Sequence, residues 1–294
     1  MRHSKKYNNK NNRKKRLFKK LTLYITTILV VIAFTNFFNT VDIAAESALI
    51  IDSQTNKIIY NKKSTSKMYP ASTTKILTAI TALDYLDLDE IVYVDNEIYL
   101  TPLGSSTAGL CKGEKLSVRD LIYALMLPSG NDAAQVLAVY TGKKLSKQKI
   151  RYKVARDKFL ELMNKKAQEI GAVNSNFTTV DGFHDTNHYS TAKDLALITQ
   201  EALKNNFLGK VAKTITYQVG KHNDWRNTNK LIQQDSEWFT ESVTGFKTGF
   251  TSHAGYCLVA TAIHNNKSYI LVLLNGPKDD IYADAQKLIN KHLS

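Results

Sequence analysis

The spacing of hydrophobic positions changes along the chain and predicts strands at both ends of its main part. Residues 48–52 and 57–60 are apolar runs separated by a short polar turn, a pattern typical of an antiparallel hairpin. Residues 255–263 and 268–274 have the same character and predict a second hairpin. A helical period over 279–292 predicts a closing helix.

Between the two hairpins the hydrophobic positions recur with a helical period. The predicted helices span 73–83, 118–127, 133–140, 152–170 and 191–203. We therefore expect a mixed α/β protein of the α+β type, in which the hairpins share one antiparallel sheet with the closing helix on its face. The middle helices form a second lobe, and the active site is expected in the cleft between sheet and lobe.

The charge of the chain is concentrated at its start. Lys and Arg supply ten of the first twenty residues, without any acid, so these ten account for most of the net charge of +14 and leave +4 for the rest. A small excess spread over residues 21–294 indicates a solvated surface, which argues against binding to nucleic acid. Residues 1–20 are predicted to be a basic cytoplasmic tail.

An uncharged, mainly apolar segment at 21–41 follows this tail. It is close to the roughly 20 residues that span a bilayer and longer than the apolar part of a cleaved signal. A retained signal-anchor is therefore one interpretation, and a signal peptide cleaved after Ile43-Ala44-Ala45 is the other. In both cases the domain at 47–294 is expected outside the cytoplasm, held at the cell membrane or secreted.

Cysteine and histidine residues offer two further candidate features. Cys111 and Cys257 are the two cysteines; Cys257 lies in an apolar run, which favours a buried thiol, although the sequence leaves their pairing open. His184 and His188 have a spacing that binds zinc on helices, but the surrounding Asp, Gly and Asn residues predict a loop. We expect no metal and no other cofactor, and we interpret this loop as a cap over the cleft.

Ser72 and Lys75 form a Ser-x-x-Lys motif at the predicted start of a helix. Residues three apart on a helix share a face, so the amine can reach the hydroxyl. A lysine acts as a base when its surroundings destabilise its proton, and a helix N-terminus stabilises a developing anion. Alone, this motif more often marks a helix cap followed by a surface lysine.

Two further motifs lie at predicted turns or strands. Ser129-Gly130-Asn131 follows Pro128 between two helical runs, where a tight turn can direct a hydroxyl and an amide into a cleft. Lys247-Thr248-Gly249 precedes the run at 255–263 and is predicted to form an edge strand that supplies a cation, a hydroxyl and close backbone access. Taken singly, these motifs are an ordinary helix connection and a glycine-containing strand.

Together, in this order, the three motifs resemble the set of the β-lactamases and penicillin-binding proteins. The chain from Ala48 onward resembles the D-alanyl-D-alanine carboxypeptidases of peptidase family S11, which are low-molecular-mass penicillin-binding proteins. The likeness extends to 69–72, 181–185 and 187–192. It implies the serine β-lactamase and DD-peptidase type of fold.

The resemblance implies a role for each motif residue. Ser72 is the expected nucleophile, Lys75 its base, and Ser129 a proton shuttle. The expected substrate-binding residues, including a backbone oxyanion hole at Ser72 and Phe250, are Asn131, Lys247, Thr248, Gly249 and Phe250. The implied partners are peptidoglycan stem peptides, β-lactam antibiotics as covalent inhibitors, and the cytoplasmic membrane through the N-terminal segment.

Several departures from related sequences leave alternatives open. Gly130 stands where class A β-lactamases have aspartate, and no Glu-x-x-Leu-Asn segment is present, so hydrolysis of β-lactams is disfavoured. Thr244 and Thr228 stand where relatives carry aspartate and arginine, so carboxylate recognition is expected to differ. The stretch after Gly249 is too short for the additional β-rich domain of many relatives. The alternatives to a carboxypeptidase are a D,D-endopeptidase, a β-lactamase or esterase, and a non-catalytic penicillin-sensing module.

Overall fold

The computed structural model describes residues 18, 19, 22, 24 and 26, and residues 41–294 apart from 147, 279 and 294. The chain divides into two units, 1–42 and 43–294. In the first unit, the described residues between 18 and 26 are helical. No helix within the described part of the chain is long and apolar enough to cross a membrane. The hydrophobic segment predicted at 21–41 lies mostly outside the described residues.

The second unit combines strands with helices in the order that the sequence predicts. Its described strands are β1 (Ser47–Asp52), β2 (Ile58–Lys62), β3 (Ile91–Tyr93), β4 (Lys115–Ser117), β5 (Thr216–Val219), β6 (His222–Arg226), β7 (Val243–Thr251), β8 (Gly255–His264) and β9 (Lys267–Gly276). Its described α-helices are α1 (Lys75–Leu83), α2 (Val118–Met126), α3 (Asn131–Lys144), α4 (Tyr152–Glu169), α5 (Ala192–Leu203), α6 (Asn206–Lys213) and α7 (Asp280–His292).

Five strands form one antiparallel sheet in the order β2-β1-β9-β8-β7. Both predicted hairpins therefore belong to the same sheet, and β7 is one of its two edges. The β8–β9 hairpin turns at Asn265 and Asn266, whose φ angles of 48° and 59° are those of the turns that match the twist of paired strands. The turn thereby fixes which residues of β8 and β9 face each other.

The sheet is covered on both faces, which explains why β1 is apolar at almost every position. Leu49, Val259 and Val272 belong to the large buried cluster that includes the helices of the second lobe. The alternating residues Ile50 and Leu271 are equally buried and face the other side, where α7 packs on β8 and β9. Each such side chain contributes roughly 1.5–3 kcal/mol when fully buried.

The second lobe is built around α1, which packs against α2, α3, α4 and α5. The helix predicted at 133–140 is longer in the structure, since α3 runs from Asn131 to Lys144. This helix is buried on nearly all sides, so it lacks the polar stripe from which a helical period is recognised. Gly142 permits close packing with α4, because a Cβ there would stand 2.0 Å from the Ala155 carbonyl oxygen.

The predicted fold class is confirmed: an antiparallel sheet flanked by helices, with a helical lobe beside it. The sequence pattern did not predict the two-stranded sheets β3–β4 and β5–β6, or α6. The strands of the first of these sheets have three residues each, which is too short for an alternating pattern to be recognised. The edge strand predicted around residue 247 is present as β7.

Candidate active site

Ser72 lies on a single 3₁₀ turn, Ala71–Thr74, that leads directly into α1. The α-helix therefore begins at Lys75 and not at residue 73 as predicted. Ala71 has a φ of +47°, a strained conformation for a residue with a side chain, and the surroundings must hold it. Gly182 contributes, because a Cβ at this position would stand 1.8 Å from the Ala71 carbonyl oxygen. The turn Ala71–Thr74 carries the predicted nucleophile and is called the nucleophile turn below. It packs tightly against the loop that follows α4.

Lys75 is fully buried, and its ammonium group donates three hydrogen bonds. Its Nζ lies 2.8 Å from Ser72 Oγ, 2.6 Å from Asn131 Oδ1 and 2.8 Å from the Asp181 carbonyl oxygen. Burial lowers the pKa of Lys75 to about 8, although the charges of Asp181 and Asp132 oppose the shift. A neutral Lys75 amine can accept the Ser72 proton while still donating to the other two partners.

The Ser129 turn brings a second hydroxyl to the site. Ser129 adopts a φ of +63°, and its Oγ is buried without a hydrogen-bond partner among the described residues. The Ser106 hydroxyl donates to the Ser129 carbonyl, and the Asn131 N–H donates to the Ser106 carbonyl, so this segment braces the turn. Asn131 is the first residue of α3, which corrects the prediction that it lies within the turn.

Strand β7 runs beside the nucleophile turn. A Cβ at Gly249 would stand 2.9 Å from the Ser72 backbone nitrogen, so a larger residue would separate the two backbones. Lys247 is buried, and its ammonium donates to the Thr248 carbonyl over 3.0 Å. Burial, and then the nearby charge of Lys75, hold the pKa of Lys247 well below its ordinary value.

Lys247 lies beneath the cleft surface and is almost fully buried. Its expected contact with the substrate carboxylate stays a prediction. The Thr248 and Thr228 hydroxyls line the cleft, with their oxygens 2.5 Å apart. Thr228 occupies the position for which the sequence analysis expected altered carboxylate recognition.

The cleft has a volume of about 720 Å³ and lies between β7 and the helical lobe. It brings together most of the residues predicted from the motifs. The predicted residues that line it are Ser72, Ser129, Asn131, Thr248, Gly249 and Phe250. Lys75 and Lys247 are fully buried below this surface, so the site is a hydroxyl-lined cleft above two buried amines.

Asp181 supports the site in a way that the sequence analysis did not assign. Its backbone carbonyl accepts the hydrogen bond from Lys75, and its carboxylate accepts from Gln135 Nε2 and from the Phe183 N–H. The resemblance included residues 181–185, but a role carried by a backbone carbonyl leaves no signal in residue types. Gln135 was missed for a related reason, because its partner is distant in sequence.

The two histidines of the loop predicted to cap the cleft lie in different surroundings. His184 lines the cleft and stacks on His253 with ring centroids 3.6 Å apart. His188 is buried, and its Nε2 lies 2.9 Å from Thr74 Oγ1. The two rings therefore do not share a ligand position, and within the described residues no group of three His, Cys, Asp or Glu side chains is placed to hold a metal ion. Cys111 is exposed, Cys257 is buried, and both are free thiols.

His188 is neutral, and its hydrogen bond with Thr74 links this loop to the nucleophile turn. Its Nδ1 accepts from the backbone N–H groups of Thr178 and Thr179, which leaves Nε2–H to donate to Thr74. Burial lowers the pKa of His188 to about 4, against an opposing effect of Asp185. Protonation would turn Nδ1 from an acceptor into a donor that faces the N–H groups of Thr178 and Thr179.

We expect His188 to make folding sensitive to acid. Between pH 6.5 and pH 4 only the unfolded chain takes up the His188 proton, so the free energy of unfolding falls with falling pH by about 3 kcal/mol from this residue. Above pH 6.5 both states are neutral and the stability is complete. Denaturant titrations of the wild type and of His188→Gln across this interval measure the difference; equal pH dependence in the two proteins would contradict the assignment.

Comparisons with known proteins identify the family of this chain. The family model described as D-alanyl-D-alanine carboxypeptidase, Peptidase S11, matches residues 33–278. The D-alanyl-D-alanine carboxypeptidase DacF of Bacillus subtilis is 32% identical over 244 residues, which are 80% of this chain and 59% of that protein. The D-alanyl-D-alanine endopeptidase of Escherichia coli is 31% identical over 255 residues, 84% of this chain and 76% of that protein.

A solved structure extends the likeness to three dimensions. The crystal structure of the Streptomyces K15 DD-transpeptidase is similar with a TM-score of 0.78 and 32% identity, covering 86% of this chain and 98% of that chain. This chain thus spans almost the whole of the Streptomyces chain but less than two thirds of DacF. The family predicted from the three motifs is confirmed, and the chain belongs to the D-alanyl-D-alanine carboxypeptidase family of peptidases.

Proposed function

We propose that this chain is a serine-type D-Ala-D-Ala carboxypeptidase that removes the terminal D-alanine from peptidoglycan stem peptides. The observation that carries the proposal is the contact between the buried Lys75 amine and the Ser72 hydroxyl at the floor of the cleft, 2.8 Å apart. A base with a pKa of about 8 beside a serine hydroxyl can take its proton and so activates the serine as a nucleophile. Cleavage of a peptide bond through an acyl-enzyme is the chemistry that this pair can perform.

The reaction begins with attack of Ser72 Oγ on the carbonyl carbon between the two D-alanines. The Ser72 proton moves to Lys75, and a C–O bond forms as the peptide C–N bond breaks. The leaving nitrogen must gain a proton, and we assign its relay from the lysine to Ser129, whose hydroxyl is buried and without a partner among the described residues. Free D-alanine leaves, and water then hydrolyses the acyl-enzyme with the same groups.

Charge that develops on the carbonyl oxygen needs donors that are already in place. The Ser72 and Phe250 backbone N–H groups are our candidates, because β7 contacts the nucleophile turn directly and is an unpaired sheet edge on that side. Each such donor is worth roughly 3–4 kcal/mol of the barrier. We assign the substrate carboxylate to the Thr248 and Thr228 hydroxyls, which lie above the buried Lys247.

The same steps make β-lactams covalent inhibitors. Ser72 opens the strained lactam amide, and the amine that is released stays tethered to the acyl group in the cleft. Hydrolysis by water is then hindered because the leaving group is not expelled. We therefore expect the wall peptides and penicillin to compete for one serine.

Product analysis tests the carboxypeptidase assignment. We expect the wild-type domain to release free D-alanine from a monomeric pentapeptide ending in D-Ala-D-Ala, and Ser72→Ala to release none, because the acylating oxygen is absent. Mass spectrometry of the products measures both. Failure of the wild type to shorten the pentapeptide, under conditions in which it is acylated by penicillin, would contradict the proposal.

An endopeptidase is the second candidate, because a relative of similar identity bears that name. The same product analysis with a cross-linked dimer separates the two activities. Faster cleavage of the dimer than of the monomer would favour the endopeptidase.

We further propose that the domain works outside the cytoplasm and is held at the membrane by its N-terminal segment. The support is the order of a basic run at 1–20 and an uncharged, mainly apolar run at 21–41. Cell fractionation with N-terminal sequencing tests this. A membrane-bound protein with its original N-terminus supports retention, whereas a mature start near Glu46 contradicts it, and recovery in the cytoplasm contradicts export.

A further inference from the structure

The geometry points to a second binding pocket beside the cleft, which takes a carboxylate on the acyl side of the substrate. We call it the anion pocket. It has a volume of about 360 Å³. Its polar and aromatic lining residues are Lys67, Tyr69, Thr186, Tyr189, His253 and Asn275. The inference rests on the proposed function, because it describes how a peptide that acylates Ser72 continues beyond the scissile bond.

The anion pocket adjoins the catalytic cleft through one residue. His253 lines both cavities. His184, which lines the cleft, stacks on His253 and also contacts the edge of the Tyr69 ring at a centroid distance of 4.8 Å. A short wall of three rings therefore separates the two cavities, and a ligand passing His253 enters the anion pocket.

The direction of the substrate leads towards this wall. Thr248 is the proposed contact of the terminal carboxylate and Phe250 that of the scissile carbonyl, so the acyl side continues past Phe250 in the direction of His253. Each residue of an extended peptide advances about 3.3 Å. A residue two before the acylating D-alanine is thus about 7 Å further along, which brings its side chain to His253 and the anion pocket.

The charge of the anion pocket fits an acid. Lys67 is exposed, and its Nζ lies 4.1 Å from the centroid of the Tyr189 ring. Within the described part of the chain no carboxylate forms a salt bridge with Lys67. Neither cavity has an Asp or Glu among its described lining residues. The pocket therefore presents a cation that lacks a partner acid.

Two acids stand close to lining residues, and both are engaged elsewhere. Glu46 accepts from Asn275 Nδ2 over 2.7 Å and pairs with Lys63 over 3.6 Å. Asp185, next to Thr186 in the chain, accepts from the Thr178 hydroxyl and the Asn187 N–H. These contacts leave Lys67 as the charged group that a ligand in the anion pocket would meet.

The test uses two peptides that end in D-Ala-D-Ala and differ in one side chain. The residue two before the acylating D-alanine is glutamate in one peptide and glutamine in the other. We expect the wild type to have a kcat/KM for the glutamate peptide about fivefold higher at low salt, falling towards equality at high salt because the pair with Lys67 is exposed. Lys67→Met should remove the preference, and Lys67→Glu should reverse it.

Lys153→Met is the matched control, since this exposed lysine on α4 lines neither cavity and should keep the fivefold preference. Equal rates for the two peptides in the wild type would overturn the inference, as would a preference that survives in Lys67→Met. Benzylpenicillin has an uncharged acyl side, so its adduct on the wild type reports Ser72 alone. A wild type that forms no adduct and cleaves neither peptide would contradict the proposed function instead.

Discussion

Replacing Lys75 with methionine is expected to slow acylation of Ser72 by about 10³-fold, the range that a positioned general base contributes. Methionine keeps the length of the buried side chain but cannot accept the serine proton. It also leaves the Asn131 amide oxygen and the Asp181 carbonyl without their donor. Stopped-flow or quenched reactions with a chromogenic β-lactam measure the acylation rate separately from hydrolysis.

The pH dependence tests the same role with an intact protein. Because burial lowers the pKa of Lys75 to about 8, the neutral amine becomes the major form only above that pH. The wild-type kcat/KM for acylation should therefore rise with pH and level off above about 8. The residual rate of Lys75→Met should lack this rise, since the group that titrates is absent.

Two control variants distinguish the role of Lys75 as a base from the effect of its positive charge. Lys75→Arg keeps a cation that does not lose its proton, so it should be nearly as slow as Lys75→Met. Lys153→Met removes an exposed lysine of α4 and should acylate at the wild-type rate. Thermal unfolding of each variant shows whether it is folded. Rapid acylation in a folded Lys75→Met protein would mean that another group accepts the Ser72 proton.

The parts of this site that could be predicted from the sequence are those set by the spacing of neighbouring residues. Ser72 and Lys75 are three residues apart at a helix start, and this spacing alone sets their side chains on one face. The two hairpins were equally accessible, because their strands are apolar and their turns are short. Convergence of the three motifs came from the family resemblance and not from any local pattern.

Features that depend on the burial of a side chain could not be predicted from the sequence. Lys247 appears in the sequence as a cation ready for a carboxylate, whereas in the fold it lies under the cleft with a strongly lowered pKa. Asn131 follows a Pro-Ser-Gly turn, yet it opens α3, whose burial on nearly all sides hides its start. The burial of Lys247 and the start of α3 were missed for the same reason, since sequence patterns report local preference and not the surroundings of a side chain.

Contacts between residues far apart in the chain are the other features that could not be predicted from the sequence. The carbonyl of Asp181, 106 residues away, completes the set of acceptors to which Lys75 donates, and Gly182 leaves room for the Ala71 carbonyl beside Ser72. His188 bonds to Thr74 across a similar separation. The role of the loop at 174–191 in holding the nucleophile turn therefore became visible only in the fold.

Loss of the Ser72 hydroxyl should have the largest effect of all. Lys75, Ser129 and the β7 strand all act through the bond that Ser72 forms with the acyl group, so alanine at this position removes the covalent route completely. The substitution deletes one oxygen from a turn whose backbone is held by Gly182 and β7, so the fold should be retained. Unchanged thermal unfolding of Ser72→Ala would show that the loss is chemical.

Intact-mass spectrometry of the domain with benzylpenicillin tests the central claim most directly. The wild type should gain the mass of one penicillin per chain, and peptide mapping should place it on Ser72, whereas Ser72→Ala should show no adduct. An undiminished adduct on Ser72→Ala, or an adduct mapped to another residue, would contradict the assignment of Ser72 as the nucleophile.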